Sequence, residues 1–232
     1  MKEFFKFTLA TITGIIVSSV VLFFISILIL FSMLSSSESE TQVRKNSVMM
    51  LDMRGMLSAR SQDNPFDIFL SEDETTYGLD DILSSIQKAK ENENIKGIYL
   101  QAGSMGIGFA SLEEIRKALA DFKTSGKFVV AYGDQYSQRL YYLASVADKV
   151  LLNPQGAIGW YGLASTPTFY KDLLSKIGVE MQVFKVGTYK SAVEPFISTE
   201  MSPANREQVT VFLNGIWGQK LSDISESRGV SK

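Results

Sequence analysis

The sequence contains no histidine and no cysteine. Those two absences remove most of the usual side-chain chemistry before any motif is sought. A Ser-His-Asp triad is excluded. So are a thiol nucleophile, a disulfide framework and any Cys-based zinc site. A base working near neutral pH would have to be Asp, Glu, Tyr or Lys. A net charge of −2 leaves no basic face for nucleic acid. No motif calls for a metal or a cofactor, and none is expected.

Charge is missing altogether from one long stretch. Between Lys6 and Glu38 there is no Asp, Glu, Lys or Arg. The run is longer than the ~20 residues that a membrane-spanning helix needs. It also exceeds the apolar core of a cleaved signal peptide, and Phe31-Ser32-Met33-Leu34 is a poor cleavage site. It reads as an uncleaved signal anchor. Lys2 and Lys6 favour a cytoplasmic N-terminus. The bulk of the chain is then expected on the outer side, periplasmic where the cell has two membranes.

What remains is globular in composition, with 45% hydrophobic and 21% charged residues over the 232-residue chain. The expected organisation is residues 1–37 as cytoplasmic tip and anchor, 38–46 as a polar linker, and 47–232 as one domain. Val48 to Met53 reads as a first strand. Arg54 to Tyr77 reads as a loop, with Phe66, Ile68, Phe69 and Leu70 as a docking patch. Leu79, Ile82, Leu83, Ile86 and Ala89 have helical spacing. Ile95–Leu100, Phe128–Tyr132, Lys149–Leu152 and Val179–Val186 read as strands. Ser111 and Glu114 form a capping-box pattern, and Gly126 suits the end of that helix. Ser137–Val146 reads as a helix. Asn153-Pro154-Gln155-Gly156 is turn chemistry. Thr166-Pro167 starts a helix that Gly178 ends. Ser202-Pro203 caps a last helix striped by Val209, Phe212, Leu213, Ile216, Trp217, Leu221 and Ile224. Strands alternating with helices predict an α/β fold with a largely parallel sheet.

Few segments carry chemistry. Gly103-Ser104-Met105-Gly106-Ile107-Gly108 joins a strand to a helix, but its spacing fails both phosphate-binding fingerprints. It is either a flexible turn or a set of backbone N–H donors for a carbonyl or oxyanion. Ser137, within Tyr136-Ser137-Gln138-Arg139, sits on a strand-to-helix junction. No glycine flanks it, so it reads as a helix cap more readily than as a nucleophile. Asp148-Lys149 and Glu194-Pro195 read as solvated or structural charges. Lys190 stands apart. Val183, Phe184 and Val186 precede it, and Ala192, Val193 and Phe196 follow. A lysine in an apolar setting can lose its proton and act as a base. The plain alternative is a surface lysine.

The segment Gly187-Thr188-Tyr189-Lys190-Ser191-Ala192-Val193-Glu194-Pro195-Phe196, followed by Met201-Ser202-Pro203-Ala204, resembles the amino-terminal half of the long-form signal peptide peptidase A (protease IV) family, peptidase family S49. The likeness extends through Tyr136-Ser137-Gln138, Tyr141-Tyr142-Leu143-Ala144-Ser145 and Asn153-Pro154-Gln155-Gly156, and takes in the anchor. The resemblance implies a ClpP/crotonase-like α/β fold of repeated β-β-α units. It implies a Ser–Lys dyad in which Lys190 is the general base. The nucleophilic serine is then expected beyond Lys232, in a carboxy-terminal domain with a Ser-Gly-Gly-type elbow. Gln138 stands near the nucleophile's place in this half. This chain alone, read as truncated, should not hydrolyse peptides. The implied partners are signal peptides and other apolar peptides, the membrane, the carboxy-terminal domain and further copies, a tetramer by resemblance. Two other readings stay open. One is a non-catalytic assembly domain of the same fold. The other, an acyl-CoA enzyme, is opposed by the anchor.

Overall fold

The computed structural model describes residues 1–35, 43–60 and 76–232. The expected docking patch, Phe66 to Leu70, lies outside the described residues. The chain divides into two units, residues 1–43 and 44–232.

The first unit is helix α1, Lys2–Ser35. Its span from Lys2 to Ile29 is long and apolar enough to cross a membrane. Four polar side chains in the run are satisfied within the helix. Thr8, Thr11, Thr13 and Ser26 donate to the carbonyls four residues back, at 2.8–2.9 Å. A hydroxyl bonded in this way presents no open donor to hydrocarbon.

The second unit is built on a five-stranded parallel sheet, ordered β2-β1-β3-β4-β5. The strands are β1 (Ser47–Ser58), β2 (Thr76–Gly78), β3 (Ile95–Gly106), β4 (Phe128–Tyr136) and β5 (Lys149–Ile158). Helices α2 (Leu79–Glu91), α3 (Phe109–Lys123) and α4 (Gln138–Ala144) are the crossovers, and neighbours among them pack together. Three short or late helices follow: α5 (Lys171–Lys176), α6 (Glu194–Ile197) and α7 (Pro203–Arg228). This is the α/β architecture of a ClpP/crotonase-like domain.

Period-two alternation sorts the strand residues. Met53, Ile98, Leu100, Val129 and Ala131 are buried, with Leu112, Ile115, Leu119 and Phe122 of α3. Each of these side chains larger than alanine contributes about 1.5–3 kcal/mol by leaving water. The alternate residues Met50, Tyr99, Gln101, Val130 and Tyr132 are exposed or half-buried. Lys127 closes the C-terminus of α2, its ammonium donating to the carbonyls of Ala89, Lys90 and Asn92 at 2.8 Å each.

Several boundaries differ from expectation, each for a local reason. β1 runs five residues past Met53, into the expected loop. The glycine-rich segment is mostly strand: Gly103 to Gly106 belong to β3. There the β1–β3 register slips between Met53 and Gly55. A Cβ on Gly103 would lie 2.3 Å from Cγ of Arg54, and one on Gly106 2.5 Å from Sδ of Met56. These glycines admit the neighbouring strand, not a phosphate. Asn153-Pro154-Gln155-Gly156 does turn, but inside β5. Leu152 pairs with Gly133 and Ala157 with Gln135, so four residues bulge opposite Asp134. Asn153 donates to the Asp134 carboxylate at 2.9 Å. A Cβ on Gly156 would meet the Asp134 carbonyl at 2.0 Å. α3 begins at Phe109 with Gly108 as cap, so Ser111 lies inside the helix and caps nothing. α5 begins at Lys171, after Thr166-Pro167. Val179–Val186 is not a strand among the described residues. Its composition suits one, but no strand pairs with it, and Phe184 and Val186 are 96% and 89% exposed.

Candidate active site

Lys190 lies between that irregular segment and α6. The chain turns at Gly187, whose φ of 97° suits glycine. Lys190 is exposed and opens on a cavity of about 580 Å³ walled by Phe184, Val186, Ala192 and Val193. The apolar neighbours expected from sequence are therefore present, but Phe184, Val186 and Ala192 face outward with the lysine, and the half-buried Val183 and Val193 do not enclose it. Among the described residues Lys190 makes no hydrogen bond and no ion pair.

What holds this exposed segment is Glu194, four residues on and only 3% exposed. Its carboxylate accepts from the Ser202 hydroxyl at 2.6 Å, the Ser202 N–H at 3.3 Å and the Asn205 amide at 2.9 Å. Ser202 also caps α7, its hydroxyl accepting from the Asn205 N–H at 3.2 Å. Its bond from the Ser202 hydroxyl, with Asn205 and the Ser202 N–H in support, holds the Glu194 carboxyl below its usual range, outweighing the opposing effect of burial. Glu194 thus fastens the lysine loop to the N-terminus of α7. Tyr189 adds a bond to Glu207 at 3.2 Å, and Tyr170 stacks on Phe196 with ring centroids 6.1 Å apart. Of the two roles expected for Glu194-Pro195, solvated or structural, the structural one holds. The sequence signal for it is the pairing of Glu194 with the Ser202-Pro203 cap.

Ser137 is the N-cap of α4, its hydroxyl accepting from the Leu140 N–H at 3.3 Å. Gln138 beside it is buried. Its side-chain oxygen accepts from the N–H groups of Tyr161 and Gly162 at 3.1 and 3.0 Å, and its amide donates to the Gly162 carbonyl at 3.1 Å. Gly162 has a φ of 84°. The amide at this position is a clamp on the 161–162 turn, and an amide offers no nucleophile. Asp148 is structural too, accepting from the Val129 N–H and pairing with Lys123, both at 2.8 Å.

α7 is tied to the sheet unit by Arg116 of α3. Its guanidinium donates to the Tyr142 carbonyl and Ser145 hydroxyl at 2.8 and 2.9 Å, and to the Asp223 carbonyl at 2.8 Å. The anchored helix in turn carries Glu194 and the lysine loop.

The fold and this motif define a class. Residues 121–232 match peptidase family S49. The chain is 46% identical over 154 residues to protease 4 of Salmonella typhi, covering 66% of this chain and 25% of that protein. It is 32% identical to protease 4 of Haemophilus influenzae, over 97% of this chain and 38% of the relative. It is 30% identical to the chloroplastic serine protease SPPA of Arabidopsis thaliana, over 81% of this chain and 27% of the relative. The chain belongs to the protease 4 (SppA) type of peptidase family S49. It spans between a quarter and two-fifths of the length of these curated relatives.

Proposed function

We propose that this chain is the lysine-bearing half of a membrane-anchored serine endopeptidase that degrades cleaved signal peptides and other apolar peptides. The observation that carries the reading is the Lys190 loop, fastened by buried Glu194 and open to an apolar cavity, in a chain whose Gln138 is committed to structure. Lys190 is the general base, and the nucleophilic serine comes from a carboxy-terminal domain. Docking of that domain over Phe184 and Val186 would bury the lysine and favour its neutral form. The neutral amine takes the serine proton as the oxygen attacks the peptide carbonyl. The resulting ammonium then gives a proton to the leaving amine, and water releases the acyl group by the same cycle. The anchor places the domain at the outer face of the cytoplasmic membrane, next to its substrates. Assembly with further copies, a tetramer by resemblance, completes the apolar surroundings.

The test is Lys190→Ala in the two-domain protein. Peptidase activity should be lost with assembly intact, and retained activity would sink the assignment. The 232-residue chain alone should not cleave a signal-peptide substrate. Turnover that depends on Lys190 would reveal a nucleophile within it. A second reading, a non-catalytic assembly domain, is favoured by the exposure of Lys190. It predicts that Lys190→Ala alters assembly and not chemistry.

A further inference from the structure

The lysine that this chain does bury is not Lys190. Lys220 of α7 is 2% exposed, and its Nζ is the one buried side-chain nitrogen or oxygen among the described residues without a hydrogen-bond partner. It lies 3.9 Å from the centre of the Phe109 ring and 6.0 Å from that of Tyr142. Arg139 sits over the same Phe109 ring at 5.1 Å, and it too makes no ion pair among the described residues.

The surrounding acids are committed elsewhere. Glu113 is paired with Lys117 at 2.9 Å. Asp223 accepts from the Tyr142 hydroxyl and from Gln219. Arg116, one helix turn further along the contact, shows that this α3–α4–α7 junction can satisfy a buried cation fully. At Lys220 it does not. Ring faces attract an ammonium, but they replace only part of the hydration that burial removes.

A cavity of about 430 Å³ opens beside this group, lined by Phe109, Tyr142, Phe212, Ile216 and Lys220 itself, with Gln219 and the Lys117-paired Glu113 completing its wall. That volume falls in the range of about 300–1,000 Å³ usual for small-molecule sites, which pair apolar walls with a few fixed polar groups. Phe212, 65% exposed, forms its outer edge. A mainly apolar pocket beside an enclosed, unpaired cation matches one ligand chemistry, an apolar group bearing a carboxylate that supplies the partner Lys220 lacks.

We propose that the Lys220 pocket binds a small apolar carboxylate, its hydrocarbon between Phe109, Phe212 and Ile216 and its carboxylate on the Lys220 ammonium. The carboxylate would end either an acyl chain or an apolar peptide. The site is built by α3, α4 and α7 without Lys190, so it stands or falls apart from the peptidase reading.

Burial, with Arg139 adding repulsion, lowers the Lys220 ammonium to about 8. The ligand is ionised well below that, so binding should be strongest near neutrality. It should weaken about tenfold between pH 7 and 9 as the fraction of charged lysine falls.

The experiment is calorimetric titration of the 232-residue protein in lipid nanodiscs at pH 7. The probes are octanoate and octanamide, and N-acetyl-leucyl-leucine and its amide. At least one acid should bind saturably, with its amide at least tenfold weaker. Lys220→Met should erase the difference between them. The two acids distinguish an acyl chain from a peptide end as the source. Equal binding of acid and amide, an unchanged preference in Lys220→Met, or no saturable binding of either acid up to about 10 mM would each overturn the proposal. The pH dependence on the unsubstituted protein is a separate check that needs no variant. Acid affinity that stays flat from pH 7 to 9 counts against the site as well.

Discussion

Lys190 and Lys220 occupy opposite environments, and the family motif marks the exposed one. Around Lys190 the apolar side chains are present but turned outward, with Phe184 at 96% and Val186 at 89% exposure. Around Lys220 three helices converge, and the ammonium is enclosed without a hydrogen-bond partner. Burial is what destabilises a lysine's charge, and apolar neighbours in sequence do not guarantee it. Under the proposed function, Lys190 acts as a base only once a second domain buries it. Its exposure in this half is consistent with a site completed by assembly.

The largest effect that separates the two lysines is on catalysis. Lys190→Ala in the two-domain protein should lower kcat/KM by about 10²–10⁴-fold, the usual contribution of a positioned general base. Lys190→Arg sharpens the point. It preserves charge and length but cannot release a proton near neutrality, so it should be as inactive as alanine in a peptide-cleavage assay. An arginine variant with near-normal rates would mean that position 190 needs only a cation.

On stability the order reverses, and Lys220 dominates. Its ordinary value of 10.5 falls to about 8 in the folded protein. A shift of that size corresponds to roughly 3 kcal/mol of penalty for the charged form. The sign follows from the direction. The folded state resists protonation, so the penalty is full below pH 8, shrinks between pH 8 and 10.5, and vanishes above. Lys220→Met should therefore raise stability by about 2–3 kcal/mol at pH 7, with the gain disappearing by about pH 10.5. Denaturant melts at pH 7 and pH 10.5 measure it. A destabilised methionine variant at pH 7 would show that the ring contacts outweigh the burial of charge.

Glu194 comes next, because it holds Lys190 without enclosing it. Glu194→Gln keeps the shape and removes the charge that the Ser202 hydroxyl and Asn205 amide address. The expected loss is about 1–2 kcal/mol at pH 7. The wild-type carboxyl is held below its usual range, so its contribution is present above about pH 4.5 and lost as pH falls through the lower folded value. Melting curves of the two proteins should converge in acid. A constant gap down to pH 2 would mean that the carboxylate's charge plays no part.

The contrast between the lysines also shows what sequence could reveal. Local signals were legible: the Ser202-Pro203 cap of α7, Gly126 with φ 78° and Gly178 with φ 74°, and the apolar period of α2. The parallel α/β class followed from alternation. Strand lengths were hidden, because β3 and β5 absorb glycine and turn residues as bulges that only the neighbouring strand explains. Val179–Val186 carries strand composition and finds no strand to pair with. Lys220 was invisible for the same reason. Phe109, Tyr142 and Lys220 are far apart in sequence, and their meeting depends on how α3, α4 and α7 pack.

The smallest expected effect is at Gln138, which tests whether this half ever held a nucleophile. Gln138→Ser places a hydroxyl at the start of α4 and removes three bonds to Tyr161 and Gly162. Tyr161 is 83% exposed, so water can reach the freed turn. The cost should stay near 1 kcal/mol. The variant should also gain no peptidase activity. The segment around it has Arg139 where a nucleophile elbow would have glycine, and the backbone there is helical, with Ser137 already spent as the cap. The measurement is signal-peptide cleavage by Gln138→Ser in the 232-residue chain. Turnover above the unsubstituted chain would place a competent serine beside Lys190 within this half, and the division of the dyad between two domains would have to be abandoned.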